Sequence, residues 1–243
     1  MSTFRKLTIS ELKLVTREPL TLTFLFAFPI VTVLVLIGSF GVHDPAFSGQ
    51  TPAHWYLSAY LAVVAAAVGL VMMPVHLAAY RERGVLRRFT VAGFAPWSFA
   101  AAEMATGLIM TAISWAALLG VTGVLYGLPS VHHPLATAAG LAVGAVAMIS
   151  IGLLLGSIIP NARAAQGIGL LAFFPVFLLG GGGPPPSQMG SVMKTVANVL
   201  PLTHITRAIQ NPWLGLGSSG AHLAVAAAIA AACSLGWARR VRL

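Results

Sequence analysis

Long apolar stretches dominate the chain, separated by short polar or basic clusters. Six of them are long enough to cross a hydrocarbon layer of ~30 Å, which takes about 20 apolar residues at a helical rise of ~1.5 Å each. They run at about residues 20–40, 55–79, 97–126, 135–159, 164–179 and 221–237. Backbone polar groups in lipid must be satisfied within the segment, so the pattern predicts helices and not open strands. The fifth stretch is the least regular, because Pro175 lies inside it and residues 180–183 are all glycine. The first stretch exceeds the usual apolar core of a signal peptide, follows a segment containing acidic residues and lacks an evident small-x-small cleavage site; it reads as a retained helix.

Composition sharpens this picture. Of 243 residues, 58% are apolar and 8% charged, with a mean hydropathy of +0.89. Soluble domains carry about 25% charged residues, so an ordinary cytosolic enzyme, a coiled coil and a disordered tail are excluded. One cysteine, Cys233, excludes a disulfide framework and a Cys-based metal site.

The net charge of +9 would suggest nucleic acid if it were clustered, but it follows the spans instead. Arg5, Lys6, Lys13 and Arg17 precede the first stretch, and Arg81, Arg83, Arg87 and Arg88 separate the second from the third. Arg163 lies between the fourth and fifth, and Arg239, Arg240 and Arg242 follow the sixth. Only Lys194 and Arg207 fall on the opposite side. Cytoplasmic loops retain Lys and Arg. The expectation is an all-α membrane protein of six transmembrane helices, both termini cytoplasmic, forming a single domain over 1–243 with no nucleic-acid partner.

Three segments between spans carry further pattern. In residues 1–18, Phe4, Leu7, Leu14 and Val15 share a helical face opposite Lys6, Lys13 and Arg17, with Glu11 interrupting it. This fits an interfacial helix on the inner leaflet, or a basic terminus that only fixes orientation. Residues 80–96 place Val85, Leu86 and Phe89 among four arginines and Glu82. They are too polar to cross lipid, and the apolar side chains call for a protein surface or the lipid interface. In residues 180–217, a glycine and proline run breaks the helix and Ser187 is placed as an N-cap. Met189, Val192, Met193, Val196, Val199 and Leu200 then form one helical stripe, and Ile205, Ile209 and Trp213 a second set. Two short helices lying on or dipping into the outer interface are predicted.

Catalytic signatures are lacking. The chain has no phosphate-binding G-x-x-x-x-G-K motif, no G-x-S-x-G and no H-E-x-x-H. No catalytic residue and no metal site are expected. Glu103 is the only acidic residue inside a stretch, where a carboxylate costs several kcal/mol unless it is paired or wetted. It is expected to meet an arginine of the 81–88 loop or to serve a path for protons or substrate.

Two local stretches add a resemblance. Arg81-Glu82-Arg83-Gly84-Val85-Leu86-Arg87-Arg88-Phe89, leading to Pro96, resembles the segment before the third helix of ABC-2 type permeases, the membrane subunits of ABC exporters. Asn198-Val-Leu-Pro-Leu-Thr-His-Ile-Thr-Arg-Ala-Ile209 resembles the stretch before their last helix. Val85, Phe89 and His204 depart mildly from the family pattern. The daunorubicin-resistance-like exporters are the branch suggested.

The resemblance implies a docking segment for a separate ATPase, carried by Arg81, Glu82, Arg83, Gly84, Leu86, Arg87 and Arg88. ATP and Mg would reside in two copies of that ATPase subunit, with no cofactor in this chain. A second permease, identical or paralogous, would complete the pathway in a bacterial cytoplasmic membrane. Phe24, Phe28, Glu103, Phe173, Phe174 and Phe177 are candidates to line a path for amphipathic, lipid-like or drug-like cargo. Pro201, His204 and Trp213 are candidates for an outer gate. The main rival is a proton-coupled secondary transporter using Glu103; an intramembrane enzyme or haem subunit using His54, His76 or His204 is a third reading.

Overall fold

The computed structural model describes residues 18–40, 47, 49–85 and 96–241. The interfacial segment preceding Glu18, and Leu86, Arg87 and Arg88 of the expected docking loop, lie outside the described residues. Among the described residues there are helices and no strands. They are α1 (Pro19–Ser39), α2 (Pro52–Glu82), α3 (Pro96–Tyr126), α4 (Pro134–Ile158), α5 (Ala162–Gly182), α6 (Ser191–Val199), α7 (Pro201–Leu214) and α8 (Gly220–Val241). α1 to α5 and α8 are long and apolar enough to cross a membrane, and each matches an expected stretch to within a few residues.

Proline begins five of these helices, where its fixed φ suits the first turn and its missing N–H has no helical acceptor. Thr51 adds a cap to α2, its hydroxyl accepting the N–H of His54 at 3.2 Å. Prolines inside the spans act differently. α1 and α2 each contain one π-helical turn, Thr23–Ala27 and Val68–Met72, and each turn ends two residues before a proline, Pro29 or Pro74. A proline ring crowds the carbonyl four residues earlier, here Leu25 or Leu70 inside the widened turn. α5 continues past Pro175 into a third π turn, Leu178–Gly182, so the glycine run extends the span instead of ending it. Tyr60 donates to the Gly182 carbonyl at 3.2 Å and Thr206 to that of Gly180 at 2.6 Å, satisfying groups that the irregular turn frees.

α2 is the centre of the bundle. Its most apolar window is 94% buried, against 17% for α8. α4 crosses it at backbone contact: a Cβ on Gly152 would strike the Gly69 carbonyl, and one on Gly69 would strike the backbone of Met148. Small residues let helices approach closely where lipid supplies no hydrophobic drive for association.

The two short helices diverge from one another. α7 is inserted among the spans, with Leu202, Ile205, Ile209 and Trp213 buried against α2 and α4. α6 instead turns Val192, Met193, Val196 and Val199 outward and buries Met189 and Ala197 near its ends. Ser187 is not its cap: residues Pro186–Gln188 form a 3-10 turn, and Gly190 immediately precedes the helix.

The connections alternate between two ends of the bundle. At the Arg81 end, Glu82 meets Ala162 and Glu18 meets His76. At the Trp213 end, the 127–133 connection is bonded to the last turn of α7.

Candidate functional site

At the Arg81 end, two adjacent and oppositely charged side chains part company. Arg81 Nη1 donates to the carbonyls of Gly156 (3.1 Å) and Ile159 (3.0 Å), at the C-terminus of α4. Glu82 Oε2 accepts the N–H of Ala162 at 3.1 Å, at the start of α5, beside the local cap from Asn161. A cation thus sits at the negative end of one helix and an anion at the positive end of the next. Gly84 lies just beyond α2 at φ +65°, a left-handed turn that closes the helix and that a side chain would strain. Arg81, Glu82 and Arg83 are exposed.

Glu18 ties α1 to the same region. Its Oε2 lies 3.4 Å from His76 Nε2 and accepts the Thr21 hydroxyl at 3.0 Å. The hydrogen bond from His76 holds the carboxyl below its ordinary range, against partial burial; the charges of His76 and Arg83 and the Thr21 bond act in the same sense as the bond.

The five expected path phenylalanines come together as one aromatic wall between α1 and α5. Phe28 lies 5.1 Å from Phe177 and 5.7 Å from Phe173 between ring centroids, and Phe24 stacks on Phe28 at 5.4 Å. Phe173 is fully buried and Phe177 nearly so, while Phe174, 6.2 Å from Phe24, is exposed. Tyr60 of α2 continues the wall against Phe177 at 6.1 Å. Glu103 is fully buried in α3.

The expected gate residues are each tied down at the Trp213 end. Pro201 opens α7. His204 Nε2 lies 3.0 Å from the Asn198 carbonyl, and its Nδ1 lies 3.0 Å from Nδ1 of His222. With Nε2–H donating to the carbonyl, a neutral His204 accepts from His222. Trp213 donates to the Pro129 carbonyl at 3.3 Å, and its own carbonyl accepts the N–H of His132 at 3.1 Å. α7 is thereby strapped to α6, α8 and the α3–α4 connection.

Beside α7 lies a cavity of about 360 Å³, a feature that periodicity and charge counting did not find. Both Lys194 and Arg207, which entered the sequence reading only through topology, border it. Thr203, Thr206 and Gln210 add polar groups from α7; the signal for them was their recurrence at three- and four-residue spacing, which puts them on one helical face. Among the described residues no three His, Cys, Asp or Glu side chains are placed to hold a metal ion.

The sequence profile described as ABC-2 type transporter matches residues 2–212, most of the chain. The chain belongs to the ABC-2 type transporter family. A search among curated proteins found no match. As an ABC-2 protein with six apolar spans, it is a multi-pass membrane protein and the membrane component of an ABC transporter, a class that works with an ATPase partner. The match takes in the Arg81–Gly84 turn, the aromatic wall and nearly all of α7, so these features belong to the ABC-2 region itself; α8 lies beyond it.

Proposed function

We propose that this chain is one permease half of an ATP-driven exporter of amphipathic or lipid-like cargo, in the daunorubicin-resistance-like branch of the family. Of two ATPase subunits, which bind ATP and Mg, one docks on the 80–96 segment from the cytoplasmic side and the other on a second permease, which completes the path in a bacterial cytoplasmic membrane. The observation that carries this reading is the Arg81–Glu82 clasp. A force applied to the turn at Arg83 and Gly84 reaches α2 directly, and through the clasp it reaches the end of α4 and the start of α5. α5 bears the phenylalanine wall shared with α1, and α2 and α4 both pack on α7. A small displacement at one end is therefore passed to the opposite end through contacts that are stiff and continuous. Phe174, exposed on α5, faces outward where a second permease would contribute the other side of the path.

The test is reconstitution of the complex with its ATPase. In complexes shown by co-purification to retain the ATPase, Arg81→Ala combined with Glu82→Gln lowers transport per ATP hydrolysed by about tenfold. Unchanged transport in that double variant overturns the reading.

A further inference from the structure

We propose that the cavity beside α7 binds an amphiphile through a single anionic head group, phosphate or carboxylate. The proposal rests on the lining of the cavity and holds whether or not an ATPase docks on the 80–96 segment.

Charge is the first argument. Of the fourteen Lys and Arg residues, only Lys194 and Arg207 fall in the connections at this end of the bundle, and both border the same cavity, one from α6 and one from α7. No Asp or Glu is among the described residues that line it. Two cations converging without a counter-ion form a focus of positive potential that an anion relieves.

The second argument is preorganisation. Arg207 Nη2 donates to Asn198 Oδ1 at 2.9 Å, which fixes the guanidinium across the gap between α6 and α7 and leaves further N–H donors to point elsewhere. Among the described residues, the Lys194 ammonium has no partner. Thr203 lies in the wall, 6% exposed, and its hydroxyl has no hydrogen-bond partner among the described residues. Its oxygen is itself covered, so the donors offered to a ligand are those of Lys194 and Arg207.

The third argument is size and polarity. About 360 Å³ far exceeds an inorganic anion and lies at the lower end of small-molecule sites. Trp55, Leu179 and Met189 add apolar surface to the lining, which suits a short hydrocarbon portion next to the charged head.

The experiment is calorimetric titration of the full chain in nanodiscs of phosphatidylcholine with hexyl phosphate, kept monomeric, alongside inorganic phosphate and 1-hexanol. Saturable binding of hexyl phosphate is expected, with both other compounds weaker by about tenfold or more. Lys194→Gln, an exposed position, weakens binding severalfold; Lys194→Gln with Arg207→Gln abolishes most of it.

Absence of saturable hexyl phosphate binding, or equal affinity in Lys194→Gln, overturns the proposal. Equal affinity for 1-hexanol overturns the anion requirement, and equal affinity for inorganic phosphate overturns the amphiphile. Replacing phosphatidylcholine by phosphatidylglycerol distinguishes the sources within the proposal. Competition with hexyl phosphate makes the natural occupant a lipid head group, and no competition makes it a free amphiphile.

Discussion

Single residues in this protein serve two neighbours at once. Glu18 precedes α1 yet bonds to a ring in α2, and its carboxyl is held below the ordinary value of 4.5 by that bond. A lowered carboxyl stabilises the fold fully above its ordinary value, and the contribution is lost as pH falls through the lower folded value. As pH falls below that ordinary value, the wild-type protein is therefore expected to lose more thermal stability than Glu18→Gln, by a small margin because Glu18 is partly exposed. Equal slopes of melting temperature against pH for the two proteins would show the contact to be inert. Arg81 and Glu82 follow the same pattern, and it is why their role could not be read from composition. A sequence displays their charges but not the helix ends that those charges meet.

At the scale of elements, the decisive contact is α2 against α4. Gly152→Val drives a branched side chain into the backbone of α2 at Gly69 and is expected to cost about 3 kcal/mol or more. Gly167→Ala, also helical but with nothing within 4 Å of its new Cβ, is expected to stabilise α5 by up to about 1 kcal/mol. Thermal unfolding followed by size-exclusion recovery separates the two; equal behaviour would mean that α2 and α4 do not pack at the backbone.

The spans themselves were legible because an uninterrupted apolar run has one physical solution in lipid. The ends of α1 to α4 were legible too, since proline or a polar break marks them. Which face of each span turns inward was not, because almost every position is apolar and periodicity carries no contrast. α7 was expected at the interface for the same reason: Ile205, Ile209 and Trp213 look alike whether they meet lipid or protein. The π turns escaped notice although Pro29 and Pro74 were in plain view. The fifth span was placed too short because four glycines in water end a helix, whereas here Tyr60 and Thr206 supply the missing hydrogen bonds.

Over the whole molecule, the family assignment and the buried position of Glu103 lead to opposing expectations that one variant resolves. In an ATP-driven transporter, Glu103→Gln retains transport to within about twofold, and removal of ATP abolishes it. In a proton-driven carrier the same substitution abolishes transport while a pH gradient alone sustains it in the parent protein. Vesicle flux with and without ATP, and with and without a pH gradient, measures both.

The sequestered place of α2 also bears on how the protein is made. The ribosome delivers this helix before two of the surfaces that enclose it, α4 and α7, which follow much later in synthesis. Until they arrive, the groove around Gly69 faces lipid or an insertion factor, with nothing of its own chain to fill it. A nascent chain halted before α4 would be a membrane-embedded fragment with its most interior surface outermost, a natural mark for quality-control proteases.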